Sequence, residues 1–183
     1  MNKAVAAWII ATVLGSTALF AGVISRDQAL ALAFPGAQIQ TNMLFLTKDE
    51  IKNAGQISGT EVSSALVAQY QALSSGKPIG RAYLDTHIVR TKRESLLVML
   101  NPDASVRRIE VVAFEEPPEY LPSAKWYDQF TGKKLDASVS LKGSIHPVTG
   151  ASLTARAVTD AVRRVLAIDQ VISNRSQTEP ATP

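Results

Sequence analysis

Two apolar segments joined by a short polar turn place the strongest constraint on the fold of this chain. Residues 94–100 (ESLLVML) are predicted to form a buried strand, and residues 106–114 (VRRIEVVAF) are predicted to form its partner. Between them, residues 101–104 (NPDA) are of the types that favour a reversal of chain direction. Strands joined by so short a turn run antiparallel. The sequence therefore predicts an antiparallel sheet in the middle of the chain.

Strands and helices are also predicted on both sides of this hairpin. Further strands are predicted at residues 38–46 and 79–89, and helices at residues 27–33, 48–54, 125–130 and 155–172. Thr47 and Glu50 have the spacing of a capping box for the second of these helices, and Gly55 is predicted to end it. Residues 61–73 fit a helix or a strand, because their apolar residues also recur at helical spacing. These elements predict an α+β fold, an antiparallel β-sheet packed with helices.

Two groups of charged residues are predicted to be solvated. The last predicted helix carries apolar residues on one face, namely Val158, Ala161, Val162, Val165, Leu166 and Ile172. Its charged residues fall on the other face or at its margins, namely Arg156, Asp160, Arg163 and Arg164. A charged helix face is typical of a surface in contact with water. Glu115, Glu116 and Glu119 lie beside prolines that cannot continue a strand, so we expect a solvated loop there. A tethered acidic loop near a cofactor is the alternative.

The composition excludes several kinds of site. The chain has no cysteine, so it forms no disulfide, no thiolate metal site and no cysteine nucleophile. Its two histidines, His87 and His146, are far apart in the sequence, which does not favour a histidine-rich metal site. The net charge of +3 is small and scattered, so no nucleic-acid partner is expected. Any redox chemistry is therefore expected to come from a bound organic cofactor.

The N-terminal segment has the length and apolar character of a membrane span. Residues 4–24 carry no charge, and about 20 apolar residues cross the hydrocarbon core of a bilayer. We predict one transmembrane helix, a single-pass anchor in the cell (inner) membrane, over residues 1–25. Lys3 precedes the apolar run, so the positive-inside rule places the following domain on the extracytoplasmic, periplasmic side. A cleaved signal peptide is the alternative, and it also implies export.

The rest of the chain is predicted to form one domain and a short tail. Residues 26–173 have the length and apolar content of an ordinary globular domain. Residues 174–183 are polar and contain proline, so we expect them to be disordered.

A turn of small and hydroxyl-bearing residues leads into the last predicted helix, and it consists of Thr149, Gly150, Ala151, Ser152, Leu153 and Thr154. Glycine gives the backbone room to bend and lets a ligand approach closely. Hydroxyls at a helix start commonly cap it, and the unpaired N–H groups there also attract anions. These residues alone are compatible with two interpretations, a helix cap and a phosphate site.

The same turn resembles the [S/T]-G-A-[S/T]-x-T signature of the FMN-binding domain family. That family includes the G subunit of the Rnf complex and the C subunit of the sodium-translocating NADH:quinone reductase. The resemblance extends to other short segments of the chain, at residues 31–37, 85–87, 89–91, 97–98, 101–103, 115–122 and 129–133. It therefore covers most of the chain after the predicted anchor.

The resemblance implies a cofactor, its point of attachment and its partners. In this family the fourth residue of the signature, here Ser152, carries FMN through a phosphoester made by a flavin transferase. The surrounding cofactor-binding residues would be Thr149, Gly150, Ala151, Leu153 and Thr154. His146 stands where family members often have an aspartate, and near the flavin phosphate it could supply a positive charge at lower pH. The membrane-anchored domain would transfer electrons between membrane redox partner proteins.

Two other functions stay open at this point. The chain could be a flavin-free anchored module that acts in binding or assembly, and His146 is the feature that points to it. It could also be an exported flavoenzyme that reduces a small molecule, which requires an open pocket over the flavin ring.

Overall fold

The computed structural model of this chain describes residues 22–178. Residues 1–21, which hold nearly all of the predicted anchor, lie outside the described residues, as do residues 179–183 at the end of the predicted tail. Within residues 22–178, no helix combines the length and the apolar character needed to cross a bilayer.

The described residues form a five-stranded sheet and four α-helices. The strands are β1 (Gln38–Phe45), β2 (Leu66–Ser74), β3 (Lys77–Val89), β4 (Lys92–Leu100) and β5 (Val106–Phe114). The helices are α1 (Arg26–Ala33), α2 (Lys48–Ser58), α3 (Ala124–Tyr127) and α4 (Ser152–Thr178). The strand order is β1-β2-β3-β4-β5, and every neighbouring pair is antiparallel. The predicted α+β fold with an antiparallel sheet is therefore confirmed for the described residues.

The predicted hairpin of β4 and β5 is present. Hydrogen bonds that involve Asn101 and Asp103, two polar residues of the predicted turn, close it. The backbone N–H of Asn101 donates to the Ser105 carbonyl (2.8 Å), and the side chain of Asn101 donates to the Ser105 hydroxyl (2.9 Å). The Asp103 carboxylate accepts from the N–H and the hydroxyl of Ser105, at 3.1 and 2.7 Å. Side-chain to backbone bonds of this kind are why Asn and Asp favour turns.

Residues 61–73, for which the sequence left two interpretations, enter a strand. Residues 66–74 form β2, between β1 and β3. Val67 packs into the core under α4, whereas Tyr70 and Ala72 pack into the core on the opposite face of the sheet. Because both faces of β2 are covered, its apolar residues do not alternate cleanly with polar ones. Periodicity alone therefore could not separate a strand from a helix here.

Helices cover both faces of the sheet. Helices α2 and α4 pack together on one face, and α1 covers part of the other. Successive residues of β4 contribute to the two cores in turn: Leu96 and Val98 face α4, while Leu97 and Met99 face α1. This burial on both faces explains why the predicted strand at residues 94–100 reads as a continuous apolar run.

Helix α2 begins as predicted and ends later. Thr47 and Glu50 form the predicted capping box, in which each side chain accepts from the backbone N–H of the other residue. The predicted end at Gly55 is wrong, because α2 continues to Ser58 and ends at Gly59. Gly59 has a φ of +70°, a left-handed conformation that favours glycine, and its N–H donates to the Gly55 carbonyl. Gly55 is therefore an interior residue of the helix.

Helix α4 is longer than predicted at both ends, since it runs over residues 152–178 rather than 155–172. Residues 174–178, which were predicted to be disordered, are helical. The Arg175 guanidinium donates to Glu50 of α2 at 2.9 and 2.6 Å and to the carbonyl of Phe45 at 3.1 Å. These contacts with distant segments stabilise a polar helical end that local sequence does not predict.

A row of polar side chains joins α4 to β3. Alternate residues of β3 face α4, and they are Arg81, Tyr83, Asp85 and His87. Buried Asp169 of α4 accepts two hydrogen bonds from Arg81, one of them at 2.6 Å, and a third from the Tyr83 hydroxyl at 2.8 Å. Five residues before Asp169 in the same helix, Arg164 donates twice to Asp85, at 2.7 and 2.8 Å. These bonds fix the lengthwise position of α4 on the sheet.

The prediction of a solvated charged face on α4 is correct for one arginine and wrong for two. Arg156 is exposed. Arg164 is largely shielded from solvent in its ion pair with Asp85, and its side chain is only 16% exposed. Arg163 donates to three backbone carbonyls, those of Ser58 (2.7 Å), Asp136 (2.7 Å) and Val139 (3.1 Å). The sequence pattern could not show these contacts because their partners are far away along the chain.

Replacing Asp169 with asparagine should lower the free energy of unfolding by about 3–5 kcal/mol, because the largely buried Arg81 charge loses its carboxylate. Tyr83→Phe is the matched control, since it removes the hydroxyl that bonds to Asp169 and accepts from Gln69 but leaves the ion pair, and it should cost about 2 kcal/mol. Urea unfolding of both variants at neutral pH measures the difference. Equal losses in the two variants would contradict a central role for the ion pair.

Candidate functional site

The turn before α4 begins the helix with an alanine at the capping position. Gly150 has a φ of +82°, which favours glycine, and the Ala155 N–H donates to the Ala151 carbonyl at 3.0 Å. Ala151 is therefore the N-cap, and Ser152 is the first helical residue. Alanine has no side chain that could accept from the first N–H groups of α4. Those N–H groups are available to a ligand, and the hydroxyl of Ser152 does not hold the capping position.

The hydroxyls of this turn differ in their access to solvent. Ser152 and Thr149 are exposed, while Thr154 is only 1% exposed. Leu153 places a large apolar side chain at the surface, with 52% of it exposed. The exposed Ser152 hydroxyl on the first turn of α4 is accessible to a modifying enzyme, whereas the buried Thr154 hydroxyl is not.

A small cavity of about 110 Å³ lies over this turn. It is lined by residues 150–154, Arg90 and Tyr120. The Arg90 guanidinium lies over the Tyr120 ring, 4.6 Å from its centroid, in the geometry of a cation–π contact. Arg90 therefore brings a positive charge to the N-terminal end of α4, where the helix dipole also favours an anion. The sequence did not single out Arg90 as a site residue, since it belongs to the distant β3–β4 turn.

The β3–β4 turn is held in place by Glu116. Its carboxylate oxygen Oε1 accepts from the backbone N–H groups of Thr91 and Lys92, both at 2.9 Å. These hydrogen bonds lower the pKa of Glu116, so the residue stays ionised. The prediction of a solvated acidic loop is correct for Glu115 and Glu119, which are exposed, and wrong for Glu116, which is 8% exposed.

A second, larger cavity of about 310 Å³ adjoins the first and shares Arg90 and Leu153 with it. The remaining residues that line it are His87, Ile88, Val89, Arg156, Ala157, Asp160 and Arg164. Its ionisable side chains are mostly basic, since three arginines and a histidine face one aspartate. Its other side chains are apolar. This volume is in the range of small-molecule sites, and the lining favours an anionic ligand with an apolar part.

The wall of the larger cavity contains a buried histidine between two carboxylates. His87 Nδ1 lies 2.9 Å from Asp85 Oδ1, and Nε2 lies 3.0 Å from Glu94 Oε2. Burial alone would lower the pKa of His87, but the hydrogen bonds to Asp85 and Glu94 outweigh it and raise the pKa to about 9. The imidazole is therefore protonated at neutral pH. The sequence shows His87 but does not show that Asp85 and Glu94 both contact it.

The structure brings together some of the predicted site residues and leaves two apart. Residues 150–154 line the small cavity, whereas Thr149 and His146 line neither cavity. The backbone of His146 is fixed from both sides, because its N–H donates to the Gln129 side chain (2.8 Å) and its carbonyl accepts from the Trp126 ring (2.7 Å). Its side chain is exposed. The involvement of Thr149 and His146 in binding stays a prediction.

The stability of the protein should fall as pH rises from about 6.5 to about 9. Because folding raises the His87 pKa from 6.5 to about 9, its contribution is fully present below pH 6.5 and is lost as pH rises through 9. The difference is on the order of 3 kcal/mol. Urea unfolding across this pH range should show the loss in wild type and in His146→Gln, but not in His87→Gln. A pH dependence that is unchanged in His87→Gln would contradict the assignment.

A comparison with protein families matches residues 93–167 to a family model described as FMN-binding domain. The match covers β4 and β5, the Glu116 loop, the turn at residues 149–154 and the first part of α4. No curated protein matches the chain as a relative. The resemblance seen in the sequence is thereby confirmed at the level of the family. An FMN-binding domain of this family is found at residues 93–167.

Proposed function

We propose that this protein is a membrane-anchored flavoprotein that carries FMN on Ser152 for electron transfer in a membrane redox chain. The anchor would be residues 1–25, and the domain would lie on the periplasmic side of the cell membrane. One observation carries the proposal. Within the segment that matches the FMN-binding domain model, Ser152 is exposed on the first turn of α4, and no N-cap side chain occupies the adjoining N–H groups.

The FMN phosphate fits the small cavity. The first N–H groups of α4 and the positive end of its dipole favour an anion beside Ser152. Arg90, which Tyr120 holds from one side, adds a formal positive charge at the same place. Gly150 and Ala151 leave room for the phosphate, because neither carries a side chain beyond Cβ.

The flavin ring fits the larger cavity, which begins where the small cavity ends. Leu153 and Ala157 offer it an apolar surface, while Arg156 and Arg164 bring positive charge to its polar edge. FMN, when bound, supplies the redox chemistry, and the protein sets its orientation and its electrostatic surroundings. Ile88 and Leu153, both more than half exposed, place the cavity at the surface of the domain. A redox partner protein could therefore approach the ring.

The attachment requires a partner enzyme. In the modification, the Ser152 hydroxyl oxygen would bond to the FMN phosphorus of a flavin dinucleotide donor. The bond from that phosphorus to the bridging oxygen of the donor would break, the nucleoside monophosphate would leave, and the hydroxyl proton would pass to solvent. The modified chain therefore gains the mass of one FMN minus one water. A flavin transferase would supply the FMN group and would recognise the exposed turn at residues 149–154. A covalent bond suits an exported domain, because a cofactor that dissociated outside the membrane would be lost.

A flavin-free module for binding or assembly is the competing function, and His146 is the observation that favours it. Family members often carry an aspartate at this position, and a transferase or its metal ion that contacts this acid would act poorly on a histidine. The exposed side chain of His146 is accessible to such an enzyme. Flavin fluorescence of the purified protein in a denaturing gel separates the two functions, because only the covalent flavoprotein fluoresces.

Co-expression with a flavin transferase should increase the mass of the intact chain by one FMN minus one water. Ser152→Ala should abolish this increase, because no oxygen remains to form the ester. Ser152→Thr keeps the hydroxyl and should stay modified, and Ser63→Ala, at an exposed serine in the loop before β2, should be modified like wild type. Intact-mass spectrometry measures all four proteins. An unmodified wild type, or a modified Ser152→Ala variant, would refute attachment at Ser152.

Replacing His146 with aspartate should speed the attachment several-fold. The reason is that the variant restores the acid that family members often carry before the signature. The fraction of modified chain is measured by mass spectrometry at early times after the transferase is added. Lys142→Asp is the control, because it adds an acid to the same exposed loop four residues earlier. Equal rates for wild type and His146→Asp would show that the transferase does not use this position.

A further inference from the structure

The pair formed by His87 and Glu94 stands at the wall of the larger cavity, where the proposed function assigns the flavin ring, and Glu94 itself does not line the cavity. His87 lines the cavity, and Glu94, opposite it in the β3–β4 register, is fully buried. Their side chains meet at 3.0 Å. Within residues 22–178, no group of three or more acidic and histidine side chains is arranged to hold a metal ion.

The charged groups around His87 and Glu94 allow this pair to hold either one or two titratable protons. Arg164 and Asp85 form a doubly hydrogen-bonded ion pair and neutralise each other. His87 and Glu94 then hold either one shared proton, with no net charge, or two protons, with one positive charge. Which state prevails depends on the charge in the cavity that His87 lines, because few water molecules screen a buried pair.

One atom of Glu94 is free to take the second proton. Its Oε2 is bonded to His87, whereas Oε1 is buried and has no hydrogen-bond partner. An unpartnered buried carboxylate oxygen is costly, and protonation removes much of that cost. Burial accordingly raises the pKa of Glu94, and the hydrogen bond from His87 offsets only part of the effect. The carboxyl group is thus poised to change its protonation state.

We propose that Glu94 takes up one proton when the flavin in the adjacent cavity is reduced and releases it when the flavin is reoxidised. His87 is the positioning residue that joins Glu94 to the cavity wall. This inference rests on the proposed function, since it requires FMN in the cavity lined by Leu153 and Ala157.

The proton and electron balance of this step is complete. A redox partner, or dithionite in an assay, supplies two electrons. One proton from water binds the flavin ring, which is left with one negative charge, and a second proton from water binds Glu94 Oε1. On oxidation the two electrons leave with the partner and both protons return to water. The reduced state is therefore stabilised by a neutral Glu94 beside a protonated His87.

Several other groups face this pair, and the experiment must separate them from Glu94. They are Asp85 on β3, Arg90 on the following turn, Glu61 before β2, Tyr127 on α3, and Arg156, Asp160 and Arg164 on α4. Asp160 is the main competitor, because it lines the cavity and burial raises its pKa as well. The Tyr127 hydroxyl is buried without a partner, and burial and the nearby Glu94 carboxylate raise its pKa. Tyr127 therefore stays neutral.

The test is the midpoint potential of the full-length, FMN-loaded protein between about pH 7.5 and 8.5. Two protons per two electrons give a slope of about 60 mV per pH unit, and one proton gives about 30 mV. Wild type and Glu115→Gln, which changes an exposed carboxylate, should show the steeper slope. Glu94→Gln, which has the same shape and cannot take a proton, should show the shallower one. Equal slopes for wild type and Glu94→Gln, or a shallow slope for Asp160→Asn instead, would overturn the proposal.

Infrared difference spectra test the proposal in wild type without any variant. Reduced minus oxidised spectra should contain the carbonyl stretch of a protonated carboxylic acid, which shifts in deuterated water. A spectrum that shows flavin bands but no such stretch would overturn the proposal while the proposed function stands. A purified chain without flavin absorbance would instead contradict the proposed function itself.

Discussion

The ion pairs between α4 and β3 determine where the functional end of the helix lies. Asp169 is fixed to Arg81 near the start of β3, and Arg164 is fixed to Asp85 further along. From Asp169 back to Leu153 the helix covers roughly 24 Å at its usual rise. From Arg81 to Val89 the strand covers roughly 26 Å. These lengths match, so a helix fixed at one end necessarily presents its first turn to the β3–β4 turn at the other.

Buried charges serve this purpose better than apolar side chains would. Apolar residues of similar size stabilise an interface at least as well as a buried ion pair, but they tolerate sliding. Asp169, with hydrogen bonds from both Arg81 and Tyr83, is satisfied at one position of the helix only. The cost is a stripe of polar residues in the core, and this stripe continues to His87 in the cavity wall. The same row that positions the helix therefore supplies the titratable groups of the site.

The cavities over the first turn of α4 combine segments that are remote in the sequence. The turn at residues 149–154 supplies the hydroxyl and the N–H groups, and the β3–β4 turn supplies Arg90. Glu116, in the loop after β5, holds the β3–β4 turn because its carboxylate accepts hydrogen bonds from backbone N–H groups of that turn. An anion site built in this way depends on three separate segments of the chain. Its electrostatic character is set by the fold as much as by the signature residues.

The sequence alone determined the hairpin of β4 and β5, the capping box of α2, the apolar face of α4 and the family of the domain. Each rests on local rules, because turn residues, caps and helical periodicity act over a few neighbouring positions. Only the tertiary structure decided that residues 66–74 are a strand, that α4 continues to Thr178 and that Ala151 is its N-cap. The same holds for Arg163, Arg164 and Glu116, which local patterns assign to solvent. Their partners lie from 24 to 105 residues away. The local sequence does not show whether water or a distant chain segment will form the hydrogen bonds of a charged side chain.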